Sequence, residues 1–353
     1  MVFAWAYDAG SQKNTSLPTT LVTNMSNSDH TTRTLLLSQK VPGFLLVSRG
    51  STSNIDPLAE DITSGHSQIK AFNISDVTKP YDFTNGGTLL GWGLRNSVGV
   101  VEHPVTGGIF SIENSADDVE RDGVDIHQNN PGEELNFHGY LNGTKYYAQG
   151  QNYGYPTCYS VWNVSEIPSN GNLTVGSPFA IGDMNSTVND TICDDSTIPA
   201  RLTFQAHWAP LDIKFNTNGT TLWATSHGSW DRTEPTGYLL YALDFENGQP
   251  TEPANSTTAA TVIVSNQDNS NCPDSCFRPV GLAWDSKGRL FMSSDSTGEI
   301  YVITTSEGLA LNNATSTTAG APAATSSKAA AANVRVQEVG LWTLIAGVAF
   351  WIF

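Results

Sequence analysis

Four stretches of the sequence decide the fold: LLLSQKVPGFLLVSRG from Leu35, VGVVEHPVTGGIFSIENS from Val98, LDIKFNTNGTTLWATSHGS from Leu211 and VGLAWDSKGRLFMSSDS from Val280. Each reads as an apolar strand, a glycine-centred turn and a second apolar strand that ends in polar residues, which is the pattern of a β-hairpin. Their starts are separated by 63, 113 and 69 residues. A strand-only repeat with a period slightly above the ~40–50 residues of propeller repeats predicts an all-β protein built as a β-propeller.

The interval of 113 residues is about two periods, so we predict one further hairpin around residues 140 to 175 that inserted loops obscure. In an antiparallel hairpin, the beginning of the first strand lies beside the end of the second. Polar residues at both places therefore gather at one end of the propeller. These residues are His30, Arg33, Ser48, Arg49, Arg95, Asn96, Glu113, Asn114, Ser115, His207, Trp208, Ser226, His227, Arg278 and Asp295. Such a set predicts a site for an anionic, planar or metal-bound ligand.

The composition is that of a globular, acidic protein. The 353 residues include 17 Lys and Arg against 34 Asp and Glu, for a net charge of −17, and 39% of the residues are hydrophobic. Disordered chains are poorer in apolar residues, so a folded core is expected. Because the sequence contains no basic run, nucleic acid is excluded as a partner by charge.

Glycosylation motifs and cysteines both indicate the secretory pathway. Asn-x-Ser/Thr motifs occur at Asn14, Asn24, Asn73, Asn142, Asn163, Asn172, Asn185, Asn189, Asn218, Asn255 and Asn313, which fits a secreted glycoprotein. The four cysteines have no zinc-site spacing. Of the three possible pairings we favour the disulfides Cys158–Cys193 and Cys272–Cys276, with unpaired buried thiols as the alternative.

The two ends of the chain suggest a surface anchor and a missing start. We assign residues 1–309 to the folded domain, 310–333 to a stalk rich in Ser, Thr and Ala, and 334–353 to a glycosylphosphatidylinositol-anchor signal. Attachment is expected near Ser326 or Ser327, and a single-pass tail anchor is the alternative. Residues 1–8 lack the features of a signal peptide, so we expect residues before Met1 to be missing. The predicted location is extracellular, at the cell surface.

Six blocks of sequence carry a resemblance to a known family. They are His30–Leu35, Gly93–Gly99, Glu113–Asp118, Asn152–Pro156, His227–Arg232 and Phe277–Val280, in the family's order and within residues 1 to 308. The chain resembles the soluble quinoprotein glucose and sorbosone dehydrogenases, most closely the fungal pyranose dehydrogenases that use pyrroloquinoline quinone (PQQ). The resemblance implies a six-bladed β-propeller of the quinoprotein sugar dehydrogenase type, here about five blades because about the first blade is absent.

The resemblance also implies a cofactor, a metal and a catalytic base. In this family, PQQ accepts hydride from a sugar hydroxyl while Ca²⁺ polarises the quinone and a histidine removes the hydroxyl proton. His30 matches that histidine. The resemblance further implies an external electron acceptor, such as a haem b protein or a quinone, and the anchor implies contact with the membrane through its lipid.

Further residues match the family's binding positions. Arg95 and Asn96 match a pair that contacts cofactor and substrate, and Arg278 matches an arginine that pairs with a PQQ carboxylate. His227 and Arg232 fall where relatives have a cationic cofactor contact. The backbone carbonyls of Ser115 and Ala116 align with the Ca²⁺ ligands, with Ser-Ala where relatives often carry Gly-Pro; Asp117 and Asp118 are possible ligands. Trp208, Trp230 and Tyr153 are candidates for a sugar-stacking wall.

Two other functions remain open from the sequence. A surface propeller could keep the scaffold without the chemistry, since fold does not fix function. A calcium-dependent hydrolase of the lactonase type would use side chains such as Glu113, Asn114 and Asp295 around an axial metal. Such a hydrolase has no need of arginines, so PQQ binding distinguishes the readings.

Overall fold

Strands are the predominant regular structure in residues 1–313 and 335–338, which are the residues that the computed structural model describes. The strands up to residue 92 are β1 (Val2–Ala4), β2 (Tyr7–Asp8), β3 (Lys13–Asn14), β4 (Thr19–Thr23), β5 (Leu35–Leu37), β6 (Phe44–Arg49), β7 (Gln68–Asn73), β8 (Tyr81–Asp82) and β9 (Thr88–Trp92). The next are β10 (Ser97–Glu102), β11 (Gly108–Glu113), β12 (Glu120–Arg121), β13 (Val124–Asp125), β14 (Glu133–Tyr140), β15 (Cys158–Ser160), β16 (Pro178–Ala180) and β17 (Leu202–Phe204). The last are β18 (Pro210–Phe215), β19 (Thr221–Ser226), β20 (Leu239–Glu246), β21 (Gln249–Pro250), β22 (Thr261–Ser265), β23 (Pro279–Trp284), β24 (Leu290–Ser294), β25 (Ile300–Thr304) and β26 (Arg335–Glu338).

Helices are short and few among the described residues. They are the α-helix α1 (Asp190–Ser196) and the 3₁₀ turns Pro57–Glu60, Ile62–Ser64, Val164–Glu166, Asn269–Asn271 and Leu311–Asn313. Asn189 begins α1 as an N-cap, because its side-chain oxygen accepts a hydrogen bond from the Ile192 N–H. The prediction of an all-β fold is confirmed.

Four antiparallel sheets follow one another along the chain. Sheet 1 has the order β5-β6-β7-β9, sheet 2 the order β10-β11-β14-β17, sheet 3 the order β18-β19-β20-β22 and sheet 4 the order β23-β24-β25-β26. The predicted hairpins are the first two strands of these four sheets, so those predictions are confirmed. The N-terminal residues add a three-stranded sheet, β1-β4-β8, in which β4 and β8 run parallel.

The predicted hairpin around residues 140 to 175 does not exist. Residues 141–201 instead form an insertion between β14 and β17, which are neighbouring strands of sheet 2. The insertion contains the two-stranded ladder β15-β16, the 3₁₀ turn Val164–Glu166 and α1. Its residues Tyr155, Tyr159, Val161, Ile167 and Phe179 form one apolar cluster with Ala59, Ala116, Val119 and Ile126 from outside the insertion. The long interval in the sequence therefore reflects one lengthened connection within a sheet.

Both favoured disulfides are present. Cys158 and Cys193 are bonded with their Cα atoms 5.6 Å apart, and Cys272 and Cys276 are bonded with their Cα atoms 5.3 Å apart. The first bond fastens α1 to β15 within the insertion. The second closes a short loop that leads into β23.

Successive sheets pack face to face through apolar side chains. Leu46 of sheet 1 belongs to one cluster with Ile109 of sheet 2, and Trp223 of sheet 3 to another with Met292 of sheet 4. The first strands β10, β18 and β23 contact one another in turn. Gly99 permits β10 to lie close to β18, because a Cβ there would lie 2.8 Å from Ile112 and 3.1 Å from Ile213. Face-to-face packing in chain order with first strands innermost is the arrangement of propeller blades.

One end of every sheet carries the functional residues. The register pairs Ser97 with Glu113, Pro210 with Ser226 and Pro279 with Ser294, so the start of each first strand lies beside the end of the second. The predicted gathering of polar residues at one end follows from this register.

The C-terminal predictions are only partly within the described residues. Residues 314–334 and 339–353, which hold most of the predicted stalk and anchor signal, lie outside them. The backbone of β26, inside the predicted signal, pairs with β25 as the fourth strand of sheet 4. Among the described residues, no helix has the length and apolar character needed to cross a bilayer.

Candidate functional site

A polar cavity of about 210 Å³ opens at the end of the sheets where the strand-end residues gather. Its wall is formed by the predicted site residues His30, Arg95, Asn96, Ser115, His227 and Arg278, together with Asn114, Asp117, Glu133, His207, Ala209, Leu211, Gly228, Ser229 and Trp230. The structure thus brings six of the eight predicted site residues onto one wall, with contributions from the loop before β5, the connection between sheets 1 and 2, the ends of sheets 2 and 3, and the residue before sheet 4. The other two, Ala116 and Arg232, do not line it.

His30 presents one bare ring nitrogen to this cavity. Its Nδ1 lies 2.8 Å from Ser51 Oγ, and its Nε2 forms no hydrogen bond with another described residue. Burial, and then the nearby Arg95 guanidinium, lower the pKa of His30 to about 4. The imidazole is therefore neutral near pH 7, and its free lone pair can accept a proton.

The loop that carries His30 is held by buried hydrogen bonds. Asn27 Nδ2 donates to the carbonyl oxygens of His30 (2.9 Å) and Gly50 (2.8 Å). Arg33 donates from Nη1 to His30 O at 2.8 Å, and Arg49 donates from Nε to Asn27 Oδ1 at 3.0 Å. Arg33 and Arg49 were expected to face a ligand, but they support the loop from behind.

Arg95 is largely saturated by protein acceptors. It donates to Asn54 O (3.0 Å), to Asn54 Oδ1 (2.8 Å), to Asn114 O (3.3 Å) and to Asp117 Oδ2 (3.1 Å). Its guanidinium is buried, and only one of its five N–H donors lacks such a partner. Arg95 therefore acts mainly as a fixed positive charge beside His30, with little capacity left to bind a ligand carboxylate.

Asn96 is free where Arg95 is not. No hydrogen bond joins its side-chain amide to another described residue. Gly50 lets Asn96 and His30 lie close together, because a Cβ on Gly50 would lie 2.6 Å from Asn96 Oδ1 and 2.8 Å from His30 Cβ. The amide and the imidazole therefore lie side by side and both can bind a ligand hydroxyl.

Two unbonded carbonyls lie at the end of β11. Ser115 donates its N–H to Glu133 Oε2 (2.7 Å), and Ala209 donates its N–H to Glu133 Oε1 (3.0 Å). Burial raises the pKa of Glu133 to about 7. Within residues 1–313, no N–H or O–H group donates to the carbonyl oxygen of Ser115 or Ala116. The side chain of Ala116 is buried in an apolar cluster, so only its backbone is available to a ligand.

Sheets 3 and 4 contribute the second cationic side of the cavity. Arg278 donates from Nε to His227 O (3.0 Å) and from Nη2 to Gly228 O (3.2 Å), which leaves the rest of its guanidinium free. Its guanidinium carbon lies 5.6 Å from the ring centre of Tyr238. His227 Nε2 lies 3.0 Å from Asp295 Oδ1, and burial lowers the pKa of His227. Arg278 is the less committed arginine and the better anion-binding residue.

Arg232 was expected to contact the cavity, but it does not line it. It donates to the carbonyl of Gln128, to Asn129 Oδ1 (2.9 Å) and to Glu234 O (3.0 Å). The turn after β19 directs its side chain toward the loop at residues 128–129, so these neighbours use its donors.

The aromatic wall also differs from the expectation. Trp230 lines the cavity and is 63% exposed. Tyr153 is buried, and its hydroxyl donates to Phe137 O at 2.6 Å, which makes it a core residue. Trp208 packs on Tyr241, with ring centres 5.3 Å apart. Trp230 is the aromatic residue of the three that can stack on a ligand.

An ion-pair cluster in the wall was not predicted. His207 Nδ1 lies 3.0 Å from Asp231 Oδ1 and 3.6 Å from Asp117 Oδ1, while Nε2 lies 2.5 Å from His127 O. Burial alone would lower the pKa of His207, but the two carboxylates raise it to about 10. These side chains have a spacing that suits a metal ion. At neutral pH the protonated His207 is paired with both aspartates. Asp231 lies in the His227–Arg232 block that carries the family resemblance, so the sequence contained a signal for it. No motif in the sequence pointed to Glu133.

Taken together, the wall offers a neutral base on His30, an amide on Asn96, part of the Arg278 guanidinium and the unbonded carbonyl of Ser115 around one small volume, with the unbonded carbonyl of Ala116 next along the chain. Such a set can hold a planar anion on the arginine side, a hard cation on the carbonyls and a hydroxyl group between His30 and Asn96.

The chain is similar to known proteins over most of its length. A model of the TrAA12-like family matches residues 1–306. A pyrroloquinoline quinone-dependent sugar dehydrogenase of Hypocrea jecorina is 55% identical over 305 residues, which is 85% of this chain and 69% of the relative. A pyrroloquinoline quinone-dependent pyranose dehydrogenase of Coprinopsis cinerea is 36% identical over 327 residues, which is 86% of this chain and 43% of the relative. The chain thus spans about two thirds of one relative and less than half of the other.

Solved structures give the same picture. The calcium structure of Trichoderma reesei Carbohydrate-Active Enzymes Family AA12 superposes with a TM-score of 0.81 at 55% identity, covering 85% of this chain and 75% of that one. The holo form of the pyranose dehydrogenase PQQ domain from Coprinopsis cinerea superposes with a TM-score of 0.78 at 35% identity, covering 85% and 76%. The all-β architecture described above is shared with both.

Proposed function

This chain belongs to the TrAA12-like family, and from that membership we propose that it is a PQQ-dependent sugar dehydrogenase. The observation that carries the proposal is the cavity that combines the bare Nε2 of His30 with free donors on Asn96 and Arg278. We further propose that the fold is of the six-bladed propeller type implied by the sequence resemblance.

The residues present fit PQQ and Ca²⁺. PQQ is a planar tricarboxylate, and the free part of the Arg278 guanidinium suits one of its carboxylates. The carbonyl oxygens of Ser115 and Ala116 have no donor among residues 1–313, so both lone pairs of each oxygen are available to a hard cation such as Ca²⁺. We therefore assign Arg278 and Asn96 to cofactor binding and the two carbonyls to Ca²⁺. When bound, the pair supplies a two-electron acceptor and a Lewis acid.

The protein's own part in the reaction centres on His30. A sugar hydroxyl placed between His30 Nε2 and Asn96 can give its proton to the imidazole while its carbon gives up hydride. Burial, and then the fixed charge of Arg95, keep the pKa of His30 low, so the base is unprotonated over the range from mildly acidic to neutral pH. Trp230 at the mouth offers a face for the pyranose ring.

The proposal also covers the electron acceptor and the cellular location of the protein. We propose that electrons pass to an external carrier, such as a haem b protein or a quinone, and that the protein works outside the cell, anchored at the surface. The exposed side chains of eight Asn-x-Ser/Thr motifs, at Asn14, Asn24, Asn73, Asn142, Asn172, Asn185, Asn218 and Asn255, are compatible with a glycoprotein.

The hydrolase alternative finds less support. Glu113 is buried and accepts the Arg95 N–H at 2.7 Å, and burial raises its pKa well above the usual range, so it is a poor metal ligand. Asp295 faces His227. Of the three side chains that a lactonase-type site would use, only Asn114 lines the cavity.

The test is calorimetric titration of the full chain with PQQ in excess Ca²⁺, followed by dye reduction with aldoses. We expect calcium-dependent binding that weakens about 10- to 100-fold in Arg278→Ala, as for loss of a charge-assisted hydrogen bond, and is unchanged in Arg289→Ala, which lies away from the cavity and pairs with Asp285. His30→Gln should bind PQQ but lose sugar oxidation. Failure of the folded protein to bind PQQ would overturn the proposal.

A further inference from the structure

Ser51 lies directly behind the ring of His30 and is buried. Its hydroxyl oxygen is 2.8 Å from His30 Nδ1 and 2.7 Å from the carbonyl oxygen of Ser53. A serine hydroxyl has one proton to donate, and a carbonyl can only accept. Both short contacts are hydrogen bonds at the same time only when Ser51 donates to Ser53 and His30 donates from Nδ1 to Ser51.

That arrangement selects one tautomer of the histidine. With the proton on Nδ1, the lone pair of the neutral ring is on Nε2, the nitrogen that forms no hydrogen bond with another described residue. The ring nitrogen that is protonated is set by the hydrogen bond that it makes. We propose that Ser51 is a positioning residue that holds His30 in the Nδ1–H form and so keeps Nε2 ready to accept the sugar proton.

Two hydrogen bonds hold the backbone of Ser51 and so help to keep its hydroxyl oriented toward His30 and Ser53. Its N–H donates to Arg95 O at 2.8 Å, and its carbonyl accepts from Asn27 Nδ2 at 3.0 Å. Asn27 also holds the carbonyl of His30 at 2.9 Å. The backbone carbonyls of Ser51 and His30 are therefore held by the same Asn27 amide, and the Ser51 N–H is held by the segment that carries Arg95.

This inference rests on the proposed role of His30, but its first test does not depend on catalysis. In the full chain labelled with ¹⁵N-histidine, without cofactor, the resonance missing in His30→Gln identifies His30 among the seven histidines. At neutral pH we expect its Nδ1 to resonate as an N–H nitrogen and its Nε2 as a lone-pair nitrogen. The reverse pattern overturns the proposal, whether or not sugar oxidation is observed.

The second test uses variants of the loop. Ser51→Ala removes the acceptor, so we expect a mixture of tautomers and a fall in kcat of about tenfold or more, below the ~10⁴-fold loss when a base is fully held in the wrong tautomer. Sugar KM and PQQ affinity should change by less than about twofold, since Ser51 does not line the cavity. Ser51→Thr keeps the hydroxyl and should restore the Nδ1–H signal.

The control is Ser53→Ala, in the same loop, because its side chain bonds to Ile55 O and not to His30. It should leave both the tautomer and kcat as in the unchanged chain. If Ser51→Ala keeps full kcat and the Nδ1–H signal, Ser51 has only a structural role and the proposal fails. If Ser51→Ala does not fold, the ¹⁵N-histidine spectrum of the unchanged chain still tests the proposal, because it shows which ring nitrogen of His30 carries the proton. An unchanged chain that shows the expected tautomer but no sugar oxidation counts against the proposed function alone.

Discussion

Two histidines of the cavity wall have opposite electrostatic environments. His30 lies beside the Arg95 guanidinium, and its pKa is lowered to about 4. His207 lies between the carboxylates of Asp117 and Asp231, which raise its pKa to about 10. At neutral pH, one ring is therefore a neutral base and the other a cation. The wall gains a proton acceptor without placing two cations side by side.

His207 should make the stability of the protein depend on alkaline pH. Its pKa is higher in the folded state than the usual 6.5, so its contribution to stability is fully present below pH 6.5 and is lost as the pH rises to about 10. In His207→Gln, the loss of unfolding free energy should be largest near pH 6.5 and should shrink toward pH 10, by about 1.4 kcal/mol for each pH unit across this range. Urea denaturation at a series of pH values measures this difference.

His227→Gln is the matched control, since burial lowers the pKa of His227. That substitution should change the stability equally at all pH values above 7. A difference for His207→Gln that stays constant between pH 6.5 and 10 would show that His207 is not protonated in the folded protein.

The sequence predicted the site residues that lie at the ends of hairpin strands. It did not predict the residues that reach the site through hydrogen bonds between loops. His30, Arg95, His227 and Arg278 could be predicted because each lies beside the end of a hairpin strand. Ser51 could not, because its role depends on how a loop of sheet 1 folds against the His30 segment. A pattern along one strand contains no information about such contacts.

Among elements, the strands that pack between sheets were predictable and the long connection was not. The hairpin strands are short apolar runs joined by tight turns because most of their residues are buried, as are all six residues of β11 and five of the six residues of β6. The insertion of residues 141–201 has no such pair of runs joined by a tight turn, and its apolar residues pack with residues from other loops. Its length therefore looked like a missing hairpin in a regular repeat, although it is one connection between β14 and β17.

The two disulfides should differ in their effect on stability because they close loops of different length. Cys158 and Cys193 are 35 residues apart, whereas Cys272 and Cys276 are 4 apart. The loss of chain entropy on closing each loop predicts about 4 kcal/mol for the first and about 2 kcal/mol for the second. Replacing each pair by serine and measuring urea denaturation of both variants compares them.

Removal of the long-range bond should lower the unfolding free energy about twice as much as removal of the short one. The short-range variant serves as the control for loss of sulfur itself. Equal effects would mean that the insertion stays ordered in the denatured state or that its own apolar cluster carries its stability.

For the molecule as a whole, net charge is the dominant electrostatic quantity. The chain has a net charge of −17 at pH 7, and its charges balance near pH 4.6. Self-repulsion of this size destabilises a compact state, and salt screens it over ~8–10 Å at physiological ionic strength. The ion pairs of Arg95 and His207 in the cavity wall are largely buried and are screened much less, as is that of Arg121, which is 3% exposed.

Adding sodium chloride should therefore stabilise the folded protein at pH 7. Between about 0.01 and 0.15 M, where the screening length falls from ~30 to ~8 Å, we expect the thermal midpoint to rise by several degrees, and we expect little change near pH 4.6. Scanning calorimetry at both pH values measures the effect, with a neutral osmolyte such as sucrose as the control, since it should act similarly at both. If salt destabilised the protein at pH 7, the loss of ion pairs would outweigh the relief of repulsion. In that case local pairs, and not the net charge, would dominate the stability of the whole molecule.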